Sequence, residues 1–383
     1  MATYLQLGHE SWSLLTEPDI GQLVGAVLSP VNDSPATAAA RIRRLRDRRA
    51  TLELVLDPQL YNPSAERGEL ANWSYYSAEF ETGDHGDLGW WQGRARAVVD
   101  AARALHLDAV CSPAMFPNEF SDDYYRFIVE IGDATYTYAR AQGIDALLTV
   151  IVELRSLSNP VRAMSIASII SQSECERIYV VVVTAGTAGK EPVTDTAGLA
   201  TAIHLLRLLK PHLRVHIAFC GHDVVLWKFA GATDVSTGKW MNVRRFTPGR
   251  WQEKDDQEGR QVAYWNEGSL LTLIRDQEFL RLDRLGWYPA NAFVDNPSSR
   301  VIADQLRGGS PVPWLKLSWV QYLRWVSNVE SSWRDPVLAE EALEHSDRRW
   351  REAMQARILF VDRYNDGAHV RSWINAVREG GAR

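Results

Sequence analysis

Residues 145–153, DALLTVIVE, and residues 177–185, RIYVVVVTA, bracket the segment PVRAMSIASIIS at 160–171. Both outer runs are short, apolar and rich in Val and Ile. Runs of this kind belong to strands covered on both faces, since a strand with one solvated face alternates apolar with polar residues. The segment between them has helical character. Strand, helix, strand is the unit of a parallel sheet.

The same alternation extends in both directions. LVGAVLS (23–29), TLELVLD (51–57), LDAVCS (107–112) and RVHIAFCG (214–221) read as further strands. Ser34-Pro35 opens a helix, with Ser at the cap and Pro in the first turn. WQGRARAVVDAARALH, the stretch from Ser121 to Gln142 closed by Gly143, LATAIHLLRLLK, and the short HDVVLWKFAG closed by Gly231 read as helices too. So many repeats leave a closed barrel or an open doubly wound sheet. No strand runs into a GxGxxG or GxxxxGK[ST] turn, so the nucleotide-binding open sheets lose their main support. The fold expected is α/β, a (β/α)8 TIM-type barrel with a C-terminal helical extension.

ATDVSTG (232–238) supplies a seventh strand on this reading. QVAYW, followed by GSLLTLIRDQEFLRLDRL, supplies an eighth strand-helix unit. From about Pro311 the chain reads as helical: WLKLSWVQYLRWVSNV, then a helix opened by Asp335-Pro336. The expected division is a barrel over 1–290 and a helical extension over 291–383. Trp314, Trp319 and Trp325 cannot share one narrow helical stripe, so their helix should be covered on more than one side. A protein partner or a second copy of the chain is one expected cover.

Bulk properties exclude several classes. Of 383 residues, 46% are apolar and 23% charged, which is ordinary globular composition. A formal net charge of −6 excludes a wholly basic nucleic-acid-coating protein but leaves room for a local basic groove. RIRRLRDRR (41–49) is the densest cationic run, and it reads as the solvated face of a helix with Ile42 and Leu45 turned inward. No stretch reaches the roughly 18 apolar residues of a membrane span. MATYLQLGHESWSLL lacks the basic start and clean apolar core of a secretory signal. Cys111, Cys175 and Cys220 lie far apart without CxxC spacing, so neither a disulfide framework nor structural zinc is expected. A cytoplasmic protein without a cofactor is the expectation.

In a barrel, chemistry belongs to the loops at the C-terminal ends of the strands. Asp57 ends the second strand run and is followed by Gln59 and Tyr61. Glu153 ends the fourth, Gly186 and Glu191 follow the fifth, and Gly221, His222 and Asp223 follow the sixth. The loop from Tyr61 to Trp90 has the length of a functional loop or lid. Converging carboxylates would supply a nucleophile and a general acid/base. Competing structural roles are a turn residue before Pro58 for Asp57, an arginine-paired carboxylate for Glu153 and a helix-terminal charge for Asp223.

The order of these residues resembles the tRNA-guanine transglycosylase superfamily. LVLDPQLYN is similar to that family's D-S-G-G-[FY]-Q motif in position and leading Asp, without the glycine pair. VIVE stands where the family has G-I-V-Q, and Ala185 to Glu191 resembles G-G-L-A-V-G-E. Gly231 to Ser236 follows a short helix, as G-I-D-M-F-D does in the family. Counted without gaps, Ser236 falls at the nucleophile's position, and Asp234 lies two residues earlier. The family's Cys3His zinc cluster is missing.

The resemblance implies base exchange on a nucleic acid, tRNA or DNA, including a DNA-modifying branch linked to anti-phage defence. Asp234 would be the nucleophile and Asp57 the acid/base. Gln59, Glu153, Gly186, Glu191 and Gly221 would line the pocket for a guanine-like base. Lys239, Arg244 and Arg245 would hold phosphates. Two alternatives stand beside it. One is a barrel glycoside hydrolase using Asp57 and Glu153, and the other is a non-catalytic barrel subunit of a larger assembly.

Overall fold

The computed structural model describes residues 2–184, 190–251, 262–309, 312–332 and 335–382. Among them, eight parallel strands close into a barrel in sequence order. These are β1 (Ala2–Gln6), β2 (Leu23–Leu28), β3 (Glu53–Leu56), β4 (Ala109–Cys111), β5 (Asp145–Glu153), β6 (Arg177–Val183), β7 (Arg214–Ile217) and β8 (Asp234–Thr237). Closure runs through β1, where Ala2 pairs with Asp234 and Leu5 with Thr237.

The expected barrel is thus present, with one shift of register. The strand expected seventh is β8, and the first is the N-terminal ATYLQ, which the sequence reading passed over. The unit expected eighth lies outside the barrel. Its residues form an antiparallel pair, β9 (Trp265–Glu267) with β10 (Thr272–Ile274). With β1 in place, the ring is already full at Thr237, and no unpaired edge is left for a further strand.

Helices follow the strands as the capping signals require. α1 (Pro35–Arg46) starts at Ser34, whose side chain accepts from the Thr37 N–H. α2 (Leu88–Ala104) is capped by Asp87, and α3 (Asp122–Ala141) by Ser121. α4 (Pro160–Ile170), α5 (Thr196–Leu209) and α6 (Val224–Ala230) complete the outer layer. Gly231 ends α6 at φ +89°, a conformation glycine adopts without a Cβ clash.

Beyond the barrel come α7 (Asp276–Arg284), α8 (Pro297–Arg307), α9 (Leu315–Ser332), α10 (Pro336–Gln355) and α11 (Ala368–Gly381). α11 packs on α5, and α10 on α6. α9 touches α8, β9, α6, β1 and the turn at Pro18–Ile20. Its tryptophans Trp319 and Trp325 are half-buried. Trp319 meets Trp240 at 4.9 Å, and Trp325 meets His222 at 5.0 Å.

Inside the barrel the odd and even positions separate cleanly. Tyr4, Val27, Val55, Ala109, Cys111, Leu147, Ile151, Tyr179 and Val181 form the axial core. The alternate residues, such as Leu5, Leu54, Val110 and Leu148, face the helices. Gly25 is required at its position, because a Cβ there would stand 2.4 Å from the Tyr4 ring.

Candidate active site at the barrel mouth

The residues that open the strands define the N-terminal end of the barrel. Glu53, Asp145, Arg177, Arg214 and Asp234 each begin a strand. They form one electrostatic cluster. Arg177 pairs with Glu53 at 2.5 Å and with Asp145 at 2.7 Å, and the Tyr4 hydroxyl donates to Glu53. Arg214 reaches Asp234 at 3.5 Å. His216 lies above this cluster against Tyr4 and Tyr179, both ring nitrogens buried without a partner. Burial holds its pKa down at about 3, so it is neutral.

Asp234 belongs to that end. The sequence reading placed it beside Asp57 as a nucleophile, and the strand register overturns this. Asp234 is the first residue of β8, whereas Asp57 follows the last residue of β3. They sit at opposite ends of the barrel, so one substrate cannot meet both.

Asp57 itself is at the C-terminal mouth and almost wholly buried, with 2% exposure. Its Oδ1 accepts from the Gln59 N–H and its Oδ2 from the Tyr61 hydroxyl, each at 3.0 Å. Tyr179 approaches it from β6, and the Tyr179 hydroxyl donates to Gln6 Oε1 at 3.0 Å. Ser236 donates to the same oxygen at 2.9 Å. Burial pushes the Asp57 carboxyl up to about 7, against the pull of its hydrogen bonds and of Arg250. A carboxyl at that value exchanges protons at neutral pH, as an acid/base catalyst must.

Aromatic rings close over this carboxyl. Tyr61 meets Phe246 at 4.9 Å and Trp251 at 4.8 Å, and Phe246 stacks on Trp251 at 5.7 Å. Phe219 completes the wall. Arg250 lies over Trp251 and Phe219, and burial lowers its pKa to about 10. Gln59 and Phe219, both just past strand ends, have φ of +57° and +55°. Non-glycine residues in this region carry strain that a fold retains where geometry demands it. Buried donors without a partner at the mouth and along the axis include Gln59 Nε2, Gln6 Nε2, Trp251 Nε1 and the Tyr75 hydroxyl.

The other expected site residues scatter. Gln59 is at the mouth, where its Oε1 braces Ser29 and the Val31 N–H. Glu153 accepts from Ser156 at 2.5 Å and lies near Tyr125 of α3. Gly186 lies outside the described residues. Glu191 is 3.9 Å from Arg363 in the C-terminal segment. Gly221 lines a small cavity of about 40 Å³ with His222, Asp223, Arg244 and Arg245.

The expected phosphate-binding residues have partners within the chain. Lys239 is buried, donates to the Glu10 carbonyl at 2.9 Å, and sits between the Trp240 and Trp319 rings. Arg244 is buried, donates to the Gly238 and Lys239 carbonyls, and lies 3.4 Å over the Tyr322 ring. Both side chains also line a cavity of about 220 Å³. Arg245 is half-buried and faces Asp223 and Glu191 within the chain.

Several mouth residues were not singled out in the sequence: Gln6, Tyr179, Phe219, Phe246, Arg250 and Trp251. Tyr179 had a signal, since it shares the inward parity of Arg177 and Val181. Gln6 would have shown the same parity had ATYLQ been read as a strand. Phe246 to Trp251 come from a loop, where no periodicity points inward.

No protein-family model matches this chain, and no curated protein does. Solved structures resemble it at low similarity. A type I 3-dehydroquinate dehydratase from Clostridium difficile matches at TM-score 0.38 and 8% identity, over 65% of this chain and 88% of that one. A xylanase from Cellvibrio japonicus matches at TM-score 0.36 and 10% identity, over 62% and 85%. The (β/α)8 barrel therefore rests on the strand order itself. No helix among the described residues is long and apolar enough to cross a membrane.

Proposed function

We propose that the mouth binds a planar, acceptor-bearing heterocycle of the guanine type and exchanges a proton with it through Asp57. One observation carries this reading. A buried carboxyl poised near neutrality accepts from Tyr61, whose ring meets Phe246 and Trp251, with unpartnered donors on Gln59 and Trp251 nearby. Rings stack on a flat heterocycle, donors satisfy its carbonyl and ring nitrogens, and Asp57 takes or gives a ring proton. Arg250 offsets the charge when Asp57 ionises.

The covalent part of base exchange has lost its expected nucleophile, because Asp234 is at the other end of the barrel. The proton-transfer half of the reading stands without it. The hydrolase alternative needs two carboxylates flanking one bond, and Glu153 is held by Ser156 near Tyr125. A non-catalytic barrel is the second reading, and the near-complete burial of Asp57 beneath the aromatic rings is the observation that supports it.

Calorimetric titration with guanine and with a deazaguanine tests the reading, alongside exchange of radiolabelled guanine into tRNA and DNA. Binding should occur, and Trp251→Ala should weaken it about tenfold, as loss of a stacking face does. If neither base binds and neither nucleic acid takes up label, the non-catalytic subunit is the correct reading.

A further inference from the structure

The cationic run of α1 does more than solvate a helix face. Of its six arginines, three are committed to the fold. Arg41 pairs with Asp33, Arg46 with Asp108 and two backbone carbonyls, and Arg49 with the carbonyls of Leu15 and Leu23. Arg43, Arg44 and Arg48 are exposed and make no ion pair among the described residues. In a chain of net charge −6 this is a local excess of positive charge.

Arg44 and Arg48 are not spread over an open surface. With Arg41 they line a groove of about 440 Å³, bounded across from α1 by Trp12, Ser13 and Thr16. Asp47 is the acidic residue among its lining. Arg41 and Arg44 lie three residues apart on one face of α1, and Arg48 follows in the turn just past its end. Trp12 closes the upper part, its indole N–H donating to Asp33 at 2.7 Å. Asp33 lies in the loop after β2, and the Val31 N–H of that loop donates to Gln59 Oε1. Gln59 in turn donates to Asp57. A short bonded path therefore joins the groove to the mouth.

We infer that this groove is a binding track for the phosphodiester backbone of a single-stranded nucleic acid. Two guanidinium groups without an ion pair, Arg44 and Arg48, with Arg41 beyond them along the same groove, suit a repeating polyanion better than one small anion. The forked guanidinium matches phosphate oxygens, and an aromatic edge beside a cationic track is the usual company of single strands. The link to the mouth rests on the function proposed above, in that the strand would present a base there. The groove itself stands on its own charge and shape.

Fluorescence anisotropy with a short, mixed-sequence, fluorescein-labelled DNA strand provides the test. The full chain should bind it in a salt-dependent way. Arg44→Glu with Arg48→Glu should weaken binding at least tenfold and flatten the salt dependence by about 1.4 in log–log slope, about 0.7 per lost phosphate contact. Arg43→Glu, outside the groove lining, should have an effect much smaller than half that of the double variant, although it makes half the change in charge. Calorimetry with free guanine is read separately, so strand binding that persists where guanine does not bind sinks the reading of the mouth and leaves this one intact. Equal loss in the Arg43 and the double variant would overturn the inference. So would polyglutamate competing as well as an unlabelled strand of equal charge, which would point to an acidic protein partner. Circular dichroism establishes that each variant is folded.

Discussion

Asp57→Asn makes the proposed site testable through stability alone. The carboxyl has an ordinary value of 3.8 and is raised to about 7 in the fold by burial. Between these values the native state holds a proton that the unfolded chain has lost. The contribution of this carboxyl to stability therefore falls as pH rises from about 4 to about 7, and stays at the lower level above that. At about 1.4 kcal/mol per pH unit, the loss is about 4 kcal/mol. Asparagine is neutral at every pH and nearly isosteric with the protonated acid. The variant should lack this slope, match the wild type near pH 4, and exceed it at pH 8 by up to about 4 kcal/mol. For a chain of this length that is a rise in melting temperature of about 5 °C. Calorimetric scans of both proteins from pH 4 to pH 8 give the difference directly, and groups common to both cancel. Parallel curves across that range, or a variant less stable at pH 8, would refute the assignment of a raised carboxyl to the mouth. The same substitution should remove the pH dependence of guanine binding.

Two other outcomes follow from the opposite end of the barrel. Arg177→Ala removes the buried partner shared by Glu53 and Asp145, whose side chains keep 25% and 47% exposure, and should cost about 2 kcal/mol in denaturant unfolding, the worth of hydrogen bonds between charged groups. Asp234→Asn should leave guanine affinity within about twofold of wild type, as distant sites act independently; a large loss would put Asp234 back at the site.

The periodic parts of this fold were legible from the start. DALLTVIVE and RIYVVVVTA announce buried parallel strands because both of their faces are covered. Ser34-Pro35 and Ser121 announce helix starts because their side chains satisfy exposed N–H groups, and Asp57 was legible as a polar residue ending such a strand. Other assignments depended on neighbours that are distant in sequence. ATYLQ is too short and too mixed to declare itself, and it becomes a strand because β8 and β2 pair with it on both sides. That pairing fixes where β8 begins, and so places Asp234 at the floor of the barrel rather than its mouth. Lys239 and Arg244 read as free cations until Trp240, Trp319 and Tyr322 fold over them. Local sequence carries the period and the caps. The height of a residue along the barrel axis, and whether its charge meets water or an aromatic ring, are set only when the ring of strands closes.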